Sequence, residues 1–236
     1  MGRLAVVGGH SILGSAFASD VKRVDVEMPS AAVAVLDGGR FLVLQRHGLD
    51  QYTAAHAIDH RANLRALTAL DCDRVLALSS VGGLRPELAV GTMLAPDDFI
   101  ALHLGLSYFN DDPGHRVPGF DVGWRRQVVD VWSRRGPLLD GGVYWQTIGP
   151  RFETPAEIRL LAAHADVVGM TVASECVLAG ELGLRYAAVC VVDNLANGVG
   201  GEPLTVDEFE AGKAANRARL LATLDAVLPE LAEVSA

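Results

Sequence analysis

Six short apolar runs decide what this chain can become: "RLAVVGG", "AAVAVLDGG", "RFLVLQRHG", "RVLALSSVGG", "ADVVGMT" and "YAAVCVVDN". Each has strand length, and each is continuously apolar rather than alternating with polar residues. That pattern suits strands covered on both faces. Helix-like segments lie between several of them, among them "HAIDHRANLRALTALD", "AEIRLLAAHA" and "ASECVLAGELGL". The chain closes on a long amphipathic stretch beginning "TVDEFEAGKAANRARLL", with Thr205 or Asp207 as its N-cap. Strands alternating with helices predict an α/β fold, a three-layer sandwich around a mixed, largely parallel sheet. The 236 residues suffice for one well-buried domain, and no repeat, low-complexity tract or linker divides them. The expectation is therefore a single domain over residues 1–236.

Composition narrows the function classes. A net charge of −9 argues against nucleic acid as the main partner, because phosphate backbones are met by clustered Lys and Arg. It leaves room for a small anionic substrate held by a few local cations. Cys72, Cys176 and Cys190 are sparse and lack C-x-x-C spacing, so neither a disulfide framework nor a metal site is expected. The apolar run in "MGRLAVVGGH" is too short for a signal peptide and no stretch reaches membrane-spanning length, so a cytoplasmic location is expected.

The chemically loaded residues fall at strand ends, where open α/β sheets bind their ligands. "GGHSILGS" follows the first run, and its His10-Ser11 turn can bring backbone N–H groups to an anion; an ordinary turn is the competing reading. Arg46 and His47 follow "FLVLQ", where a guanidinium can grip a phosphate bidentately or pair with a surface carboxylate. Ser79-Ser80, Met170-Thr171 and Asp193-Asn194 end three further runs. An amide at the last position reads donor and acceptor edges of a heterocycle, or else serves the turn announced by "ANG". "GPRFETPAEIR" sets Arg151, Phe152 and Glu153 on a turn that feeds a helix. Tyr108 to Trp124 is the one long loop-like segment.

Taken in order, "GG", "RHG", "HRAN", "SSVGGL", "GPRFET", "VVGMTVASE" and "DN" resemble the landmarks of the trimeric purine nucleoside and methylthioadenosine phosphorylase family. The resemblance covers nearly the whole chain, and its last three motifs are the most specific. It implies the nucleoside phosphorylase fold and cleavage of a nucleoside by phosphate to a free base and a pentose 1-phosphate. It further implies a homotrimer, or a dimer of trimers, with small-molecule nucleoside and phosphate as partners and no metal or other cofactor. By the same resemblance Glu153 and Asn194 read the base and carry catalysis, in the 6-oxopurine pattern. Phosphate falls to His10, Ser11, Arg46, His47, Ser79, Ser80 and Thr171. Phe152, Met170 and Asp193 line the nucleoside, Thr205 or Val206 stands at its 5′ end, and His115 reaches in from a neighbouring subunit. Methylthioadenosine cleavage is the alternative activity. Two departures stand out: His10 replaces the family's usual hydroxyl residue, and Ala173-Ser174 replaces Val-Pro.

Overall fold

A computed structural model describes residues 2–9, 12, 20–201 and 204–234. His10 and Ser11 lie outside the described residues. The first half holds β1 (Arg3–Gly8), β2 (Lys22–Val26), β3 (Val33–Asp37), β4 (Phe41–Gln45), α1 (His60–Ala69), β5 (Cys72–Gly83), β6 (Met93–Ala95) and β7 (Asp98–Ile100). After them come α2 (Val122–Ser133), β8 (Leu139–Asp140), β9 (Val143–Gln146), α3 (Pro155–Ala162), β10 (Val167–Gly169), α4 (Val172–Glu181), β11 (Arg185–Leu195) and α5 (Val206–Glu233).

Most of the apolar runs are buried on both sides, as their continuity predicts; β3, near the sheet edge, is only half-buried. Alternate residues of β1, β4 and β5 point to opposite faces. Ala5, Val7, Leu42 and Leu44 pack with Leu64 and Leu67 of α1 and Cys176 and Leu178 of α4. Leu4, Val6, Val43 and Leu76 pack with Trp124 and Trp132 of α2 and Leu220 and Leu224 of α5. The result is the expected three-layer α/β sandwich with a mixed sheet. All three cysteines are buried and unbridged, and burial pushes the thiols of Cys72 and Cys190 up to about 12. They are packing residues.

The described strands form one eleven-stranded sheet whose main path runs β2-β3-β4-β1-β5-β10-β9-β7. The long strand β5 organises it. One edge of β5 carries β11 in parallel along almost its whole length. The other edge changes partner midway: β1 runs parallel to residues 72–77, and β10 runs antiparallel to Gly82 and Gly83. β1 and β10 therefore end facing each other across Ser79 and Ser80. Their C-terminal ends leave a crevice there, the place where a strand-order change puts ligands in this class of fold.

Short elements escaped the sequence reading. β6 to β9 are two to four residues long, too short to show a period. α2 begins within the segment read as a loop; Asp121 caps it by accepting from the Trp124 amide at 2.7 Å.

Candidate active site

A cavity of about 460 Å3 opens in that crevice. At one end stand His47, Ser79, Ser80 and Thr171. His47 Nδ1 lies 2.8 Å from the Thr53 carbonyl, which only accepts, so Nδ1 carries a hydrogen. Its ring stacks on Tyr52 with centroids 5.0 Å apart, which fixes its plane. Thr171 is buried at the N-cap position of α4, yet its side chain makes no capping bond. Its backbone N–H donates instead to Tyr144 Oη at 3.2 Å. Hydroxyls at a helix N-terminus, beside an imidazole, are suited to an oxyanion.

Arg46 behaves differently from the sequence expectation of a phosphate grip. It is buried, and its fork is spent on Glu175: Nε donates to Oε1 at 2.6 Å and Nη2 to Oε2 at 3.2 Å. Nη1 donates to the Leu78 carbonyl at 2.8 Å, and Nη2 also to that of Val7 at 3.2 Å. One Nη1 hydrogen is left uncommitted among the described residues, so bidentate recognition of a second anion is not available. Glu175 lies 129 positions along the chain, which is why local sequence could not reveal the pair. Burial pushes the Glu175 carboxyl up, but the Arg46 charge and hydrogen bonds outweigh it and hold it below the ordinary value. Tyr186 Oη donates to Glu175 at 2.7 Å, and His60 Nδ1 stands 3.8 Å from it. Burial keeps His60 below its ordinary pKa, against the pull of Glu175. Arg46 thus braces the floor with its charge already matched.

The opposite end is built by the turn before α3 and the end of β11. In "GPRFET" the residues divide by direction. Arg151 turns outward and grips Glu157 with two bonds of 2.8 Å. Thr154 and Glu157 form a capping box that starts α3. Phe152 and Glu153 turn inward. Glu153 is buried and accepts from Thr147 Oγ1 at 2.6 Å, which fixes the carboxylate. Phe152 meets Phe209 edge to face at 5.6 Å, closing the wall between this turn and α5. Gly149 has φ of +69°, and a Cβ there would lie 2.5 Å from Met170 Sδ, so this turn requires glycine. Asn194 lines the same end, its amide donating to the Leu195 carbonyl at 2.8 Å.

Of the expected residues, Arg46, His47, Ser79, Ser80, Phe152, Glu153, Met170, Thr171 and Asn194 all line this cavity. Asp193 does not. A β-bulge turns it to the other side, where it accepts from Asn216 Nδ2 at 2.8 Å. Burial raises its pKa, opposed by hydrogen bonds from Ser80 and Asn216. Thr205 and Val206 are also misplaced: Thr205 caps α5 by accepting from the Glu208 amide at 3.2 Å, and Val206 is solvent-exposed. Leu204, Phe209, Glu210 and Lys213 take the wall instead. Phe209, Glu210 and Lys213 share one face of α5, at a helical spacing whose register the expected Thr205 N-cap sets. His115 is 84% exposed and does not line the cavity of its own chain.

This arrangement agrees with what the chain is similar to. Residues 17–229 match the family model described as the phosphorylase superfamily. A probable 6-oxopurine nucleoside phosphorylase of Archaeoglobus fulgidus is 38% identical over 222 residues, covering 92% of this chain and 91% of the relative. A probable S-methyl-5′-thioinosine phosphorylase of Xanthomonas campestris is 36% identical over 212 residues, covering 84% and 85%. The solved methylthioadenosine phosphorylase of Schistosoma mansoni in complex with adenine superposes with a TM-score of 0.84 at 22% identity, covering 99% of this chain and 93% of that one. That likeness speaks for the fold. With a family model spanning residues 17–229, the chain belongs to the phosphorylase superfamily.

Proposed function

We propose that the chain cleaves 6-oxopurine nucleosides with inorganic phosphate, giving the free purine and a pentose 1-phosphate. The observation that carries this is the pairing of two ends in one cavity: Glu153 and Asn194 at one, and His47, Ser79, Ser80 and Thr171 at the other. A carboxylate makes a charge-assisted bond to the N1–H of hypoxanthine or guanine, whereas adenine presents a lone pair there. Asn194 supplies an N–H for O6 and a carbonyl that accepts from N7 once the leaving purine is protonated there. As the C1′–N9 bond stretches, its electron pair passes into the purine and C1′ becomes cationic. Asn194 and Glu153 stabilise the charge gathering on the base, which is where preorganised polar groups accelerate most. A phosphate oxygen bonds to C1′ as N9 leaves, and the purine takes up a proton. Phosphate is a co-substrate, and the scheme needs no other cofactor.

Leu204 and Phe209 give the α5 wall apolar surface, which favours a 5′-methylthio group as a second reading of the sugar end. S-methyl-5′-thioadenosine cleavage is the alternative on the base side, and Glu153 argues against it. Assembly as a trimer follows the same reading. Tyr52 in the cavity and Ile148 in a neighbouring hollow expose 61% and 59% of their surface, where a second copy bringing His115 would cover them. Light scattering should then give a mass near three chains. The test of substrate is a side-by-side assay of inosine, guanosine, methylthioinosine, adenosine and methylthioadenosine with phosphate present. The 6-oxopurine substrates should lead, and a lead for methylthioadenosine would overturn the base assignment.

A further inference from the structure

β11 passes the cavity with one irregularity. Val192 pairs with Val81 and Asn194 with Gly82, so Asp193 is an extra residue without a ladder partner. α5 touches the strand at this bulge and does so with unusual residues. Gly212 lies so close that a Cβ there would run into the Asp193 carbonyl. One turn later, Asn216 sends its amide to Asp193 Oδ1 at 2.8 Å and to the Val192 carbonyl at 3.2 Å. That carbonyl also accepts from the Gly91 N–H at 2.7 Å. The other buried residues of α5 are leucine and valine, so a buried amide on this face is costly unless it is bonded. Its bonds among the described residues both go to the bulge.

We propose that Asn216 is a positioning residue for base recognition: by clamping the Val192-Asp193 bulge from α5, it sets where the Asn194 amide stands in the cavity. A bulge re-aims the side chain that follows it, and a bulge held by a helix keeps that aim. This rests on the reading of Asn194 as the group that meets the purine. Asn216 itself touches neither substrate nor phosphate.

The test is a double-mutant cycle on Asn194 and Asn216, read as kcat/KM for inosine together with KM for phosphate. Asn216→Ala should lower kcat/KM for inosine roughly tenfold, mostly in kcat, with any rise in phosphate KM, passed on through the Ser80–Asp193 bond, smaller than that loss. Asn194→Ala with Asn216→Ala should be no worse than Asn194→Ala alone. Exchanging the partners, Asp193→Asn with Asn216→Asp, reverses the bond to residue 193 but sets a carboxylate against the Val192 carbonyl, so it should restore only part of the loss. If Asn216→Ala does not fold, Asn216→Ser enters the same cycle. Additive losses, or a phosphate KM that rises in step with the loss, would overturn the clamp while leaving Asn194 in place. An Asn194→Ala enzyme of undiminished activity would instead sink the base-pocket reading, and the clamp with it.

Discussion

Replacing Glu153 by glutamine isolates one charge at the base end of the cavity. The carboxylate has two oxygens, and Oε1 is occupied by Thr147 Oγ1 at 2.6 Å. The second is left to accept the N1–H of a 6-oxopurine. Glutamine keeps the volume and can still present its oxygen to N1–H, provided the Thr147 hydroxyl rotates to accept from the new NH2. What is lost is the charge assistance and part of the fit. Hydrogen bonds to charged groups contribute about 1.5–3 kcal/mol against about 1 for neutral ones, so the change should cost about 1–2 kcal/mol. With 1.36 kcal/mol per tenfold, kcat/KM for inosine should fall roughly five- to thirtyfold. For adenosine the sign reverses, because the amide NH2 can donate to the bare N1. The assay is the ratio of kcat/KM for inosine to that for adenosine, in wild type and in Glu153→Gln. The ratio should collapse by more than the inosine loss alone, and the inosine loss should show in kcat as negative charge builds on the leaving base. A ratio that stays constant would refute the assignment of Glu153 to N1.

Arg46→Ala should destabilise the protein by about 3–5 kcal/mol in chemical denaturation, because it leaves the Glu175 carboxylate buried and unpaired. A folded, stable Arg46→Ala enzyme altered only in its phosphate KM would contradict the bracing role. The same network sets an acid limit. Glu175 titrates below its ordinary value of 4.5 when folded, so its stabilisation is complete above about pH 4.5 and fades as the pH falls below it. His60, also shifted down, contributes in the same direction, its share fading as the pH falls below about 6.5. Denaturation midpoints measured from pH 7 to 4 should therefore drop, and Glu175→Gln should flatten the lower part of that curve.

The layered fold was legible because "LAVV" and "YAAVCVV" are apolar without alternation, which double coverage explains. The cavity lining was legible where one short segment supplies its own chemistry, as at Ser79-Ser80 and on the turn at Phe152-Glu153. It was illegible where function depends on a distant partner or on local geometry. Arg46 reads as an anion grip until Glu175 is brought beside it by the fold. Asp193 reads as a cavity residue until the bulge turns it towards Asn216. Thr205 reads both as the N-cap of the last helix and as a ligand contact; the structure keeps the cap, which shifts the lining onto Phe209 and Lys213. Nothing in the strand announces which residue bulges, since Asp193 and Asn194 are both polar and either could face the cavity.

The most direct measurement follows base release from inosine with and without inorganic phosphate, and identifies the sugar product. Release should require phosphate, saturate with it, and yield ribose 1-phosphate in equal amount to hypoxanthine. Hypoxanthine released at the same rate in phosphate-free buffer, with free ribose as the other product, would make water the nucleophile and contradict the phosphate end of the cavity.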